Sequence, residues 1–194
     1  MRNRILSVLL LSLAVTAFGQ NEKTLVGDRA DVSVVRAGIH TDNIVTVIAR
    51  HADGSEFYRH ESHNLKTTGG IDAIASMVSN TGTQAAAANY IALSSTLSSP
   101  SASDCAAGSS SCTLAGEITT SGLARAKATY AHTAGASTYT LTYTWTASAS
   151  VSAVTGAGVF NASSSGTLVF ENTFTSVSLN SGDTIQVTWT ITIS

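Results

Sequence analysis

Over residues 184–193 every second side chain is apolar: Ile185, Val187, Trp189, Ile191 and Ile193 alternate with Thr184, Gln186, Thr188, Thr190 and Thr192. A second run does the same, with Tyr139, Leu141, Tyr143 and Trp145 separated by Thr140, Thr142 and Thr144. A period of two is that of a β-strand, whose successive side chains point to opposite faces. The β-branched threonines favour extended backbone and leave one face hydroxylated. Strands with one apolar face belong to sheets packed on one side, the habit of antiparallel sheets. Further β-rich runs occupy residues 31–39, 44–50, 90–93, 123–130, 150–160 and 168–174. Turn sequences stand at Asp53-Gly54, Ser163-Ser164-Ser165-Gly166 and Asn180-Ser181-Gly182-Asp183. The expected fold is all-β, a jelly-roll-like antiparallel β-sandwich with one short α-helix.

That helix is expected over residues 70–80. Ile71, Ile74, Ala75 and Val78 fall at i, i+3, i+4 and i+7 and define its apolar face. Thr68 or Gly70 is the expected cap, and Asn80-Thr81-Gly82 the stop. A hairpin turning on Asp53-Gly54 sets Arg50 opposite Phe57 and His51 opposite Glu56.

The first nineteen residues read as an export signal. Arg2 and Arg4 precede an apolar stretch, and Ala17-Phe18-Gly19 places small residues before a cleavage point at Gln20. The apolar stretch falls short of the ~20 residues that span a bilayer. The expected product is a secreted chain, extracellular or at the cell surface, with no membrane association after cleavage. Residues 20–39 form a strand-competent extension and residues 40–194 the sandwich domain. Only 11% of residues are charged, against about 25% in ordinary globular domains. Ten Lys and Arg against twelve Asp and Glu give a formal charge of −2, which argues against a nucleic-acid partner. Ser and Thr together number 55, and there is a single proline.

Cys105 and Cys112 are the only cysteines and flank a stretch of small residues. In an exported chain two cysteines this close are expected to form a disulfide, here in an exposed loop. Their spacing matches neither a C-x-x-C redox pair nor a zinc site.

The order of short motifs resembles a family of small β-sandwich proteins that serve tailed phages as tail, fibre or other virion structural parts. The motifs are His63-Asn64-Leu65, the glycine pair Gly69-Gly70 before the helix, Asn89-Tyr90-Ile91-Ala92-Leu93, Leu114-Ala115-Gly116-Glu117-Ile118 and Gly122-Leu123-Ala124-Arg125-Ala126. The alternating run from Tyr139 to Trp145, Ala157-Gly158-Val159-Phe160-Asn161-Ala162 and Leu179-Asn180-Ser181-Gly182-Asp183 complete the series. The likeness covers roughly residues 60–194 and implies a structural role with no catalytic residues. The export signal and the cysteine-bearing loop depart from that family.

Chemistry-bearing patterns are sparse. His60 and His63 lie three apart on a strand end, hence on opposite faces, which does not suit a shared metal. No G-x-S-x-G elbow is present. Asp104, Glu117, Glu171 and Asp183 stand by loops or turns, where solvated acids are expected. Tyr139, Tyr143, Trp145 and Trp189 share faces with Leu141 and Ile191, so core packing is expected over a sugar platform. No enzyme activity and no cofactor is expected. Val32, Val34, Val35 and Ile39 form the expected assembly strand, able to add to the sheet edge of a neighbour. Repeated head to tail, that contact makes a filament. The expected role is a secreted structural subunit that polymerises with itself. The alternatives are a phage-derived tail or virion appendage and a secreted carbohydrate-binding module whose partner is a cell-surface glycan.

Overall fold

The computed structural model describes residues 41–79 and 85–194. The signal, the extension at 20–39, its residues Val32, Val34, Val35 and Ile39, the strand at 31–39 and the helix stop at Asn80 lie outside the described residues. Among the described residues, ten strands and one α-helix follow in the order β1 (Thr41–Arg50), β2 (Glu56–His63), β3 (Leu65–Lys66), α1 (Thr68–Ser79), β4 (Tyr90–Ser94), β5 (Ala126–Lys127), β6 (Thr129–His132), β7 (Thr138–Thr146), β8 (Val151–Phe160), β9 (Leu168–Leu179) and β10 (Thr184–Ile193). A single 3-10 turn, Ala102–Asp104, interrupts the long connection after β4.

Two five-stranded antiparallel sheets result, ordered β2-β1-β10-β7-β6 and β3-β9-β8-β4-β5. The first strand lies beside the last, from Thr41↔Ile193 to Arg50↔Thr184, and β10 also pairs with β7. The chain crosses between sheets from β7 to β8 and from β9 to β10. This is the all-β sandwich expected from the alternating runs.

The alternation decides which side faces inward. On β10, Ile185, Val187 and Trp189 are fully buried and Ile191 is 1% exposed. On β1, Val45, Val47 and Ala49 meet them, and Ile91, Leu93, Val159 and Phe170 close the core from the second sheet. Each large apolar side chain so buried contributes about 1.5–3 kcal/mol.

The second sheet is covered on its outer face too. Ala92, Phe160 and Leu168 pack there with Leu97, Leu114, Cys105 and Cys112 from the loop after β4. The disulfide forms as expected, with an S–S distance of 2.01 Å. The loop between the cysteines is exposed as expected, apart from half-buried Ser109, but Cys105 and Cys112 themselves are 1% and 6% exposed and belong to this second apolar layer. The Ser94 hydroxyl helps fold the loop back: it donates to the Ala115 carbonyl and accepts from the amides of Thr96 and Leu97.

Three local expectations change. Residues 123–130 do not form one strand, since β5 pairs with β4 in one sheet and β6 with β7 in the other, with buried Ala128 between them. The hairpin closes on a longer turn, with Gly54 N–H donating to the His51 carbonyl and His51 N–H to the Ser55 carbonyl. A register shift then places Glu56, not Phe57, opposite Arg50. Asp53 accepts from the Ser55 amide and hydroxyl, which fixes the turn and holds its carboxyl below the usual range.

The helix starts from Thr67, whose hydroxyl accepts from the Gly70 amide, while Thr68 donates instead to the Ala102 carbonyl. Its packed side is not the apolar series. Gly69, Gly70 and Ala73 are buried, Ile74 is half-buried, and Ile71, Ala75 and Val78 are exposed. The glycine pair explains the choice. A Cβ on Gly70 would overlap the Val169 backbone, and one on Gly69 would press on Cys105 Sγ at 2.7 Å. Only the glycine side permits backbone-to-backbone approach to β9.

Candidate functional site

Of the four acids expected to be solvated, Asp104 is exposed, whereas Glu117 is half-buried and Glu171 and Asp183 are buried. Arg125 clamps Glu117 through two bonds, Nε–Oε1 at 2.9 Å and Nη2–Oε2 at 2.7 Å. The same guanidinium donates to the carbonyls of Ala162 and Ser165 and lies 3.4 Å from the centre of the Phe160 ring. Asp183 is 4% exposed and accepts from the Asn180 amide, with His51 Nδ1 at 3.4 Å. Glu171 sits mid-strand in β9, 1% exposed, where Oε1 accepts from the Ser101 amide at 2.7 Å and Oε2 lacks a hydrogen-bond partner. Burial pushes its carboxyl up to about 7, the Ser101 amide opposes this, and the neighbouring Asp104 carboxylate adds to the rise. Asp104 itself accepts from the Ser101 amide and closes the capping box of the 3-10 turn. The acids therefore fix loops: Glu117 closes the β4–β5 connection through Arg125, Glu171 on β9 holds the disulfide loop, and Asp183 closes the β9–β10 turn.

The histidines make local contacts. His60 Nε2 lies 3.0 Å from Ser62 Oγ, and His63 Nδ1 lies 3.1 Å from Asp42 Oδ1. Among the described residues no group of three His, Cys, Asp or Glu is placed to hold a metal. The aromatic set is mostly core. Trp189 is fully buried and Trp145 is 2% exposed, with its indole N–H donating to the Ala124 carbonyl. Neither indole presents a face for a sugar ring.

The surface features that remain are edges. An edge strand offers unpaired N–H and C=O groups to any chain that can lie beside it, and proteins guard such edges with charge. On β2 the guard is present: Glu56, Arg59, His60, Glu61 and His63 occupy the strand. Arg59 and Arg50 both pair with Glu56 and hold its carboxyl below the usual range. At the opposite edge β6 reads Thr129-Tyr130-Ala131-His132, with every residue exposed and no Asp, Glu, Lys or Arg.

Among the described residues one exposed large apolar side chain, Tyr130, stands on that unguarded edge, and exposed Met77 lines a cavity with it. Phe57, stacked on His51, belongs to the guarded side. The others are Ile71, Met77 and Val78 on α1, Tyr130 on β6 and Ile193 at the end of β10. Periodicity in the sequence marked the helix but assigned Ile71 and Val78 to the core. The Gly69-Gly70 pair was the available signal for the packed side. No family model, curated protein or solved structure matches the chain.

Proposed function

We propose that the chain is a secreted structural subunit that self-associates into an extracellular filament or surface layer, with its N-terminal segment making the joint. The observation that carries this reading is the asymmetry of the first sheet, charged along β2 and charge-free along β6. A protein kept monomeric by its surface blunts both edges. The apolar side chains beside β6 add a sticky component to the open backbone groups. The acids, each tied to a loop, support a scaffold role in preference to catalysis. The buried disulfide and the low charge suit an exported, durable particle.

Sedimentation velocity over a concentration series of the chain from Gln20 to Ser194 tests the proposal. Open-ended association gives a weight-average coefficient that keeps rising with concentration. A single small species at every concentration refutes it.

A further inference from the structure

Past its glycine pair, α1 lies beside two adjoining cavities of about 450 and 220 Å³. Ile74, Met77, Tyr139 and Phe170 stand in the walls of both, so the two form one trough. Its floor is core, since Leu141, Phe170 and Ile191 are 2%, 2% and 1% exposed. Among the described residues, no Asp, Glu, Lys, Arg or His lines either part. The polar side chains are unevenly placed. Asn89, Tyr130 and Tyr139 border the larger cavity, whereas the smaller adds only Thr41 to Val78, Ile191 and Ile193. Tyr130 and Tyr139 stand together, with ring centres 5.6 Å apart. Burial pushes the Tyr139 phenol up, with Tyr130 adding to the rise, so it stays a neutral hydrogen-bonding group.

We propose that this trough binds a small neutral amphiphile, its hydrogen-bonding head beside Tyr130 and Tyr139 and its hydrocarbon tail along α1 toward Ile191 and Ile193. Three observations select that class of ligand. Charge is the first: an ion placed against an uncharged apolar wall loses its hydration and gains no partner, so the occupant is neutral. Depth is the second. The floor belongs to the core, so an inserted chain is enclosed on several sides, as small-molecule sites require, and the larger cavity falls within their usual range of about 300–1,000 Å³. The third is the gradient from two phenols at one end to aliphatic side chains at the other, which orients a molecule with one polar end. Met77, common to both cavities, is an unbranched thioether that adapts to tails of differing shape. The site is separate from the self-association reading and stands if the chain is a monomer.

Titration of the full mature chain, residues 20–194, with N-phenyl-1-naphthylamine tests it. This probe is neutral and its fluorescence rises in apolar surroundings. Saturable one-to-one binding is expected, and at pH 8 1-decanol should displace the probe at about tenfold lower concentration than decanoate, whose charge the wall cannot pair. Met77→Glu brings a charge to the shared wall and should weaken probe binding by about tenfold or more. Phe57→Glu is the control, at a side chain of like exposure, 38% against 37%, that lines neither cavity, and should leave binding unchanged. Val78→Glu, at a side chain 59% exposed, is the second variant, expected to keep its melting temperature and weaken displacement by 1-decanol. No saturable binding overturns the site. Binding undiminished in both trough variants, or diminished equally in the control, places the probe elsewhere and also overturns it. Decanoate competing as well as 1-decanol overturns the neutral class of ligand.

Discussion

Replacing Glu171 by Gln isolates one buried carboxyl. In the folded chain its carboxyl is pushed up to about 7, from an ordinary value of 4.5. Between those values the folded state holds a proton that the unfolded state has released. Stability from this group is therefore full below 4.5 and is lost as pH rises through about 7. The difference of about 2.5 units is worth about 3 kcal/mol at pH 8, at ~1.4 kcal/mol per unit. For a domain of this size that is roughly 6–12 °C in melting temperature. Gln keeps the acceptor for the Ser101 amide and offers an N–H to Asp104, without a charge to bury. Thermal unfolding followed by circular dichroism from pH 4.5 to 8 should show the intact chain losing stability and Glu171→Gln losing much less. The two should nearly coincide at pH 4.5 and separate by several degrees at pH 8. Parallel curves across the range would refute the reasoning, because the proton would then not reside on Glu171.

Other outcomes follow from packing. Replacing both cysteines by Ala opens the loop and empties part of the outer layer, and should cost about 2–4 kcal/mol, read by urea unfolding. Gly70→Ala drives a Cβ into the Val169 backbone and should destabilise by about 3 kcal/mol, with Gly54→Ala, in open space but at φ +88°, costing only about 1 kcal/mol. Asn43 is 3% exposed on the inward face of β1, with neither side-chain polar atom hydrogen-bonded. Asn43→Leu should therefore raise stability by about 1–3 kcal/mol in the same assay.

Much of the sandwich was legible because threonine marks the outward face so consistently. On β7 and β10 the alternation alone gives strand, face and core residues, since one side of each packs and the other meets solvent. Leu168 to Asn172 was harder, being buried on both faces. Its outer cover comes from a Ser-, Ala- and Gly-rich loop whose few apolar anchors, Leu97, Cys105, Cys112 and Leu114, are spread over eighteen residues. That cover buries the disulfide and desolvates Glu171, and neither consequence is local in sequence. The helix misled for a different reason. A period of 3.6 residues shows that one face is apolar, but close approach to β9 depends on which side lacks Cβ atoms, and Gly69 and Gly70 put that side elsewhere. Of the apolar series, Ile74 and Val78 line surface cavities together with Met77, while Ile71 and Ala75 stand exposed.

Electron microscopy of two chains tests the central claim most directly: residues 20–194, and the same chain lacking residues 20–36, which removes Val32, Val34 and Val35. Filaments or sheets from the first and single particles from the second are the predicted result. Single particles from the intact chain, at concentrations where the open β6 edge should be filled, would contradict it.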